Sequence, residues 1–160
     1  MCEYSCLEIK YIHNIFALMI FPKKLISSMA EDIDIGCTCF VNPDTGEYVT
    51  VMRDEMFAQF DLEDNEDIEK VDSWEHFIRI DKPHSSESFS VMERFVDEVI
   101  PDGRLKERFW KALSKNHPFR NFNEIVHNCD FRESWFAFKQ EALEEYVRRE
   151  LGVGENGELI

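Results

Sequence analysis

The sequence predicts an α+β fold with a short N-terminal helix, a three-stranded antiparallel meander and then a C-terminal cluster of about four helices. Strand-like alternation is confined to residues 37–80, whereas apolar residues recur at helical spacing before and after that stretch. Because strands and helices are segregated along the chain, the sheet is expected to be antiparallel.

The first helix and a β-hairpin are predicted within residues 25–52. Apolar residues at 25, 26, 29 and 33 share one helical face, and Gly36 is a natural helix stop. Cys37–Val41 and Tyr48–Met52 are rich in β-forming residues and flank a loop that contains Pro, Asp and Gly. This turn chemistry is typical of a hairpin.

The segment after the hairpin is intensely acidic. Residues 54–75 hold ten Asp or Glu and a single base, Lys70, and charge repulsion at that density predicts a solvated loop or a frayed helix. Residues 74–80 then alternate in polarity, which predicts a third strand that ends before Pro83.

The second half of the chain reads as helices. Four apolar stripes at helical spacing lie within residues 89–99, 105–113, 119–126 and 131–151. We expect residues 23–151 to form a single α+β domain and residues 152–160 to be a frayed tail. Residues 1–22 are expected to be a non-domain N-terminal extension, with Met19 as an alternative start.

The charge of the chain is large and uneven. The formal net charge is −15; residues 30–100 alone sum to −15, whereas residues 101–140 sum to +3. An acidic chain repels phosphate backbones, so direct nucleic-acid binding is not expected and a basic protein or cations are the favoured partners. The alternative is that the charge only maintains solubility. No membrane partner is expected, because the apolar run Ile15–Phe21 is too short to span a bilayer.

The five cysteines, an odd number, give no disulfide framework. They are Cys2, Cys6, Cys37, Cys39 and Cys129. Cys37 and Cys39 lie two apart on one strand, where a disulfide is poorly placed, so reduced thiols in the cytoplasm fit best. The spacings also lack the second Cys/His pair of a zinc site. We therefore expect no metal and no cofactor.

The densest carboxylates are the candidate acidic interaction loop, which consists of Asp61, Glu63, Asp64, Glu66, Asp67 and Glu69. Calcium binding is the alternative. An EF-hand loop requires Gly at its sixth position and Glu at its twelfth, and Glu66 and Asp72 stand there instead.

The one net-basic stretch supplies a second candidate, an anion or ligand region made of His117, Arg120, Arg132, Trp110 and Trp135. His117 precedes a predicted helix start, where free N–H groups attract anions, and an arginine could add a fork for carboxylate or phosphate. Alternatively the aromatics are core and the two arginines pair with acidic residues from the first half of the chain. No motif for a nucleophile elbow, a phosphate loop or a metalloprotease helix occurs, so no catalytic residue is assigned.

Several segments together resemble a bacterial uncharacterised protein family, number zero-one-five-eight of the UPF class. They are the helix–Gly–hairpin opening that ends in Thr45-Gly46-Glu47, the segments 89–95 and 112–122, and Arg132-Glu-Ser-Trp135. The resemblance spans about residues 23–151. It implies a bacterial cytoplasmic protein with an intact domain, and it carries no activity, cofactor or catalytic residue.

The function expected from these observations is a non-enzymatic acidic module that binds a basic protein partner. The alternative is a small enzyme or anion-binding protein that uses the His117, Arg120 and Arg132 region. The oligomeric state is left open by the sequence.

Overall fold

The computed structural model describes residues 21–52 and 66–158, and it confirms the α+β class. The described part begins with helix α1, strands β1 and β2, helix α2 and strand β3, followed by helices α3 to α6. Their bounds are α1 Lys23–Asp34, β1 Cys37–Val41, β2 Tyr48–Met52, α2 Glu66–Asp72, β3 Ile78–Ile80, α3 Ser85–Glu98, α4 Arg104–Leu113, α5 Pro118–His127 and α6 Arg132–Leu151. The predicted short first helix, the hairpin and the four C-terminal helices are therefore all present.

The chain divides into two compact units, where the sequence had predicted one domain. The first unit comprises the described residues of Met1–Lys82 and Leu143–Ile160, and the second is Pro83–Ala142. The second unit thus lies, in sequence, between two segments that build the first.

The sheet is antiparallel, but it is not a meander. Its order is β2-β1-β3, so the third strand pairs with β1, with Cys39 opposite Ile80, rather than continuing beyond β2. β1 contains no charged residue and four of its five side chains are buried, which suits the central position. β3 is also shorter than the predicted 74–80, because only residues 78–80 pair.

The core of the first unit lies between α1, β1 and the end of α6. α1 buries one face through Ile26, Met29, Ala30 and Ile33, as its apolar spacing predicts. Cys39 is fully buried in this cluster, where its thiol donates to the Met29 carbonyl at 3.9 Å. Burial, together with the nearby Asp32 carboxylate and the Cys37 thiol, raises the pKa of Cys39 to about 12.

The segment after α6 is packed, which differs from the expected frayed tail. Val153 is buried, and the Gly154 N–H donates to the Glu158 carbonyl at 2.8 Å. The Phe21 N–H donates to the Gly157 carbonyl at 2.8 Å, and the Phe21 side chain is buried in the same core. Backbone pairing and two apolar anchors hold this segment where sequence polarity alone suggested fraying.

Aromatic side chains from α3, α4, α5 and α6 fill the second unit. Phe95, Phe109 and Phe122 are fully inaccessible, and Trp135 is 5% exposed. Their rings meet edge-on or tilted, with Phe95 and Trp135 centroids 5.1 Å apart. The helical phenylalanine stripes of the sequence are therefore core.

Three sequence expectations fall outside the described residues: the nature of the N-terminal extension before Phe21, the setting of Cys2 and Cys6, and the structure of residues 53–65. Within the residues that are described, no helix has the length and apolarity that a membrane crossing requires.

Candidate functional site

Helix α2 gives part of the predicted acidic loop a defined frame. It packs beside β2, with Val71 buried and Lys70 Nζ 3.4 Å from Glu47 Oε1. The side chains of Asp67, Glu69 and Asp72 are exposed; we call these three the α2 carboxylates. Of the other predicted loop residues, Asp61, Glu63 and Asp64 lie outside the described residues, and Glu66 begins the helix.

The hairpin turn adds further acidic groups to the first unit. The Asn42 side chain accepts hydrogen bonds from the N–H groups of Asp44 and Thr45, at 2.9 and 3.2 Å, which fixes the turn. Asp44 Oδ2 lies 2.8 Å from His76 Nε2, and both side chains are about half exposed. The turn is therefore tied to the segment that leads into β3, and it presents carboxylates on the surface.

In the second unit, His117 and Arg120 lie at the start of α5 but do not form a ligand cradle. His117 is the helix N-cap residue, with φ 60° and ψ 52° in the left-handed region, and its side chain makes no capping hydrogen bond. Arg120 Nε is 3.2 Å from Glu124 Oε1, one turn later on the same helix. The arginine thus pairs within its own helix.

Arg132 has a different environment, at the beginning of α6. Its guanidinium carbon lies 5.3 Å from the centre of the Phe136 ring, and the Lys139 ammonium lies 5.7 Å from the same centre. The His127 ring meets Phe136 nearly edge-on at 6.2 Å. Arg132 and Lys139 therefore both make cation–π contacts with the Phe136 ring.

The two tryptophans of the predicted anion region are in opposite settings. Trp135 is buried in the aromatic core, whereas Trp110 on α4 is 39% exposed. A residue held in the core cannot reach a surface ligand. The five predicted residues are thus divided between the interior, the α5 start, the α6 start and the outer side of α4.

A row of cations on α4 and just after it was not predicted from the sequence. Arg104, Arg108, Lys111 and Lys115 follow at intervals of four, three and four residues, and all are exposed. We call this set the α4 cation row. The spacing was the signal: residues separated by three or four positions share one helical face. The net positive charge of residues 101–140 indicated a basic stretch, but not that these four cations share this spacing.

The described residues contain no group of three or more His, Cys, Asp or Glu side chains placed to hold a metal ion. Cys37 and Cys39 are buried free thiols, and burial raises the pKa of both above the ordinary 9.0. A raised pKa keeps a thiol protonated and weakens it as a nucleophile. These two cysteines are thus core residues with little nucleophilic character.

Comparison with known proteins gives one match. A family model described as Uncharacterised protein family (UPF0158) matches residues 17–151, which confirms the suspected resemblance and begins it six residues earlier than residue 23. No curated protein and no solved structure matches the chain.

Proposed function

The chain belongs to the uncharacterised protein family UPF0158, and we propose that it is a non-enzymatic interaction module whose acidic surface binds a basic protein. The observation that carries this proposal is the attachment of α2 to the sheet. Val71 and the Lys70–Glu47 pair hold the helix beside β2, so the α2 carboxylates occupy fixed positions. A preorganised charged surface loses less conformational freedom on binding than a free loop does.

Electrostatics supports the same class of partner. Residues 30–100 hold 20 acidic against five basic residues, and exposed like charges raise the local concentration of an oppositely charged protein. An extreme version is mimicry of nucleic-acid charge, in which the acidic surface occupies a basic groove. The buried, reduced thiols fit a cytoplasmic protein.

An enzyme centred on His117, Arg120 and Arg132 has weaker support. Catalytic groups must converge on one reacting atom. Arg120 is instead engaged by Glu124, Arg132 lies over Phe136, and Trp135 is core.

The proposal is tested by removing the α2 carboxylates while keeping their shape. The variant carries Asp67→Asn, Glu69→Gln and Asp72→Asn, and its far-UV circular dichroism spectrum should be unchanged. Mass spectrometry identifies the basic proteins that the wild-type chain captures. The variant should no longer capture them. The matched control neutralises three exposed carboxylates of the second unit, Glu107, Glu133 and Glu141, and changes the net charge equally.

Two outcomes decide the test. If the control keeps the partners that the α2 variant loses, the α2 surface is the binding element. If both variants recover the same partners as wild type, the acidic surface only maintains solubility and the proposal is wrong. Capture should also weaken as salt rises, because exposed charges are screened over roughly 8–10 Å at physiological ionic strength.

A further inference from the structure

No member of the α4 cation row has an ion pair within the described chain, although the exposed Glu107 lies between Arg104 and Lys111 on the same face of the helix. Nearby Lys106 has Asp102 and Asp97 as partners, at 3.3 and 3.9 Å. By contrast, among residues 21–52 and 66–158 no acidic side chain forms an ion pair with any member of the row. A helix rises 1.5 Å per residue, so Arg104, Arg108 and Lys111 extend over about 10 Å of α4, and Lys115 follows two residues after the helix ends. Exposed, unpaired cations in a line form a surface for an acidic partner of similar length.

An exposed aromatic side chain lies elsewhere on the same helix. Trp110 lies on the same helix and is 39% exposed, while Phe109 and Leu113 on the inner side are buried and fix the helix in the core. Trp and Arg are the residues most enriched at the energetic centres of protein interfaces. At 3.6 residues per turn, however, Trp110 is about 100° or more around α4 from Arg104, Arg108 and Lys111, so the row itself is a charged surface.

The chain itself carries groups of complementary charge, the α2 carboxylates, of which Glu69 and Asp72 share one side of the helix and Asp67 lies on the other. We propose that the α4 cation row binds the α2 carboxylates of a second copy of this chain. The inference rests on the proposed function, because it names the second copy as the basic partner of the acidic surface. Nucleic acid fits less well, since the chain carries −15 overall and repels a phosphate backbone.

Two copies of a chain with net charge −15 also repel each other, and ionic strength decides between that repulsion and the local attraction. At roughly 0.01 M salt the screening length is about 30 Å, so the whole charge of each copy acts. At about 0.1 M it is about 10 Å, and only groups near the contact still interact. Self-association should therefore be stronger at about 0.1 M than at about 0.01 M, and it should weaken again near 1 M.

A charge swap tests the contact. In sedimentation velocity at about 0.1 M salt, the wild-type full-length chain should show species heavier than the 19.0 kDa monomer. Two charge-reversed variants should each sediment as monomers. The α4 variant carries Arg108→Glu, Lys111→Glu and Lys115→Glu. The α2 variant carries Asp67→Lys, Glu69→Lys and Asp72→Lys. An equimolar mixture of the two should associate again, because each reversed surface then meets a complementary one. Both variants stay net negative, so overall charge cannot explain their association.

The control reverses three exposed lysines of the first unit, Lys23, Lys24 and Lys82, and should associate like wild type. Circular dichroism establishes that each variant is folded. A wild-type chain that stays monomeric at every concentration and salt, or a mixture that stays monomeric, overturns the inference. The inference is also overturned if an RNA or DNA oligonucleotide binds the wild-type chain but not the α4 variant.

The inference and the proposed function fail separately. The wild-type chain could be monomeric and still bind an identified basic protein, with that binding lost when the α2 carboxylates are neutralised. This result would contradict self-association and would agree with the proposed function.

Discussion

The Trp135 indole packs edge-on against Phe122, with ring centroids 4.7 Å apart and planes inclined at 66°. Phe95 touches both rings, at 5.1 and 6.1 Å between centroids. Three helices, α3, α5 and α6, thus meet at one aromatic cluster. Edge-to-face pairs of this kind add stability beyond the area they bury.

Trp135→Ala should therefore lower the free energy of unfolding by about 3–5 kcal/mol, the usual cost of a large-to-small change in a core. Trp110→Ala is the matched control, because the same side chain is 39% exposed there, and it should cost far less. Urea unfolding of the two variants measures the difference. Equal midpoints would mean that the aromatic cluster does not hold the second unit together.

Gly157→Ala tests the packing of the C-terminal segment on Phe21. A Cβ at Gly157 would collide with the Phe21 carbonyl, and the residue also has φ +78°. Gly152 has φ +68° with open space around it, so Gly152→Ala should cost only the left-handed penalty of about 1–2 kcal/mol. Gly157→Ala should cost clearly more than that in thermal unfolding. If both substitutions shift the midpoint equally, the Phe21 contact contributes nothing.

His117 is the only non-glycine residue with positive φ among those the structure describes. His117→Gly should leave stability unchanged or raise it by up to about 1 kcal/mol, because glycine adopts this region without steric cost. His117→Val should destabilise, since a β-branched residue is strained there. Chemical denaturation of both variants provides the comparison. A destabilised glycine variant would show that the imidazole makes a stabilising interaction.

The buried thiols predict a stability loss at alkaline pH. Burial raises the pKa of Cys39 from 9.0 to about 12, so the unfolded chain releases this proton at a lower pH than the folded chain. The free energy of unfolding should thus fall above pH 9.0; Cys39 contributes a slope of at most about 1.4 kcal/mol per pH unit, and Cys37, whose pKa burial also raises, adds to it. In Cys39→Ala the free energy of unfolding should fall less steeply between about pH 9 and 10. Tyr48 contributes only above that range, because burial also raises its pKa. Parallel curves for the two proteins would contradict this assignment.

The sequence predicted the elements better than their pairing. Apolar spacing located α1 and the four C-terminal helices, because each buries one face. It could not place β3 beside β1, since strand order depends on contacts between distant segments. The same limit applies to residues 152–158, where the partner is Phe21, more than a hundred positions away in the chain.

The candidate sites were predicted only in part. Asp67 and Glu69 are exposed, as their charge density suggested, but Val71 anchors the helix that carries them. A single valine among ten acids gives little sequence signal. Trp135 could be interpreted as site or core because one pattern, an aromatic residue at helical spacing, fits both. Only its burial separates the two readings.

The chain order of the two units has a consequence for synthesis. Tyr146 Oη donates to the Asp81 carbonyl at 2.9 Å, and Val147, Leu151 and Val153 complete the core around α1 and β1. Chains are made from the N-terminus, and domains generally fold as units during synthesis. On the ribosome, Pro83–Ala142 can fold as soon as it emerges, whereas α1 and the sheet must wait for a segment translated some sixty residues later. A ribosome that stalls before Leu143 would leave the earliest part of the chain, not the latest, with its hydrophobic side uncovered.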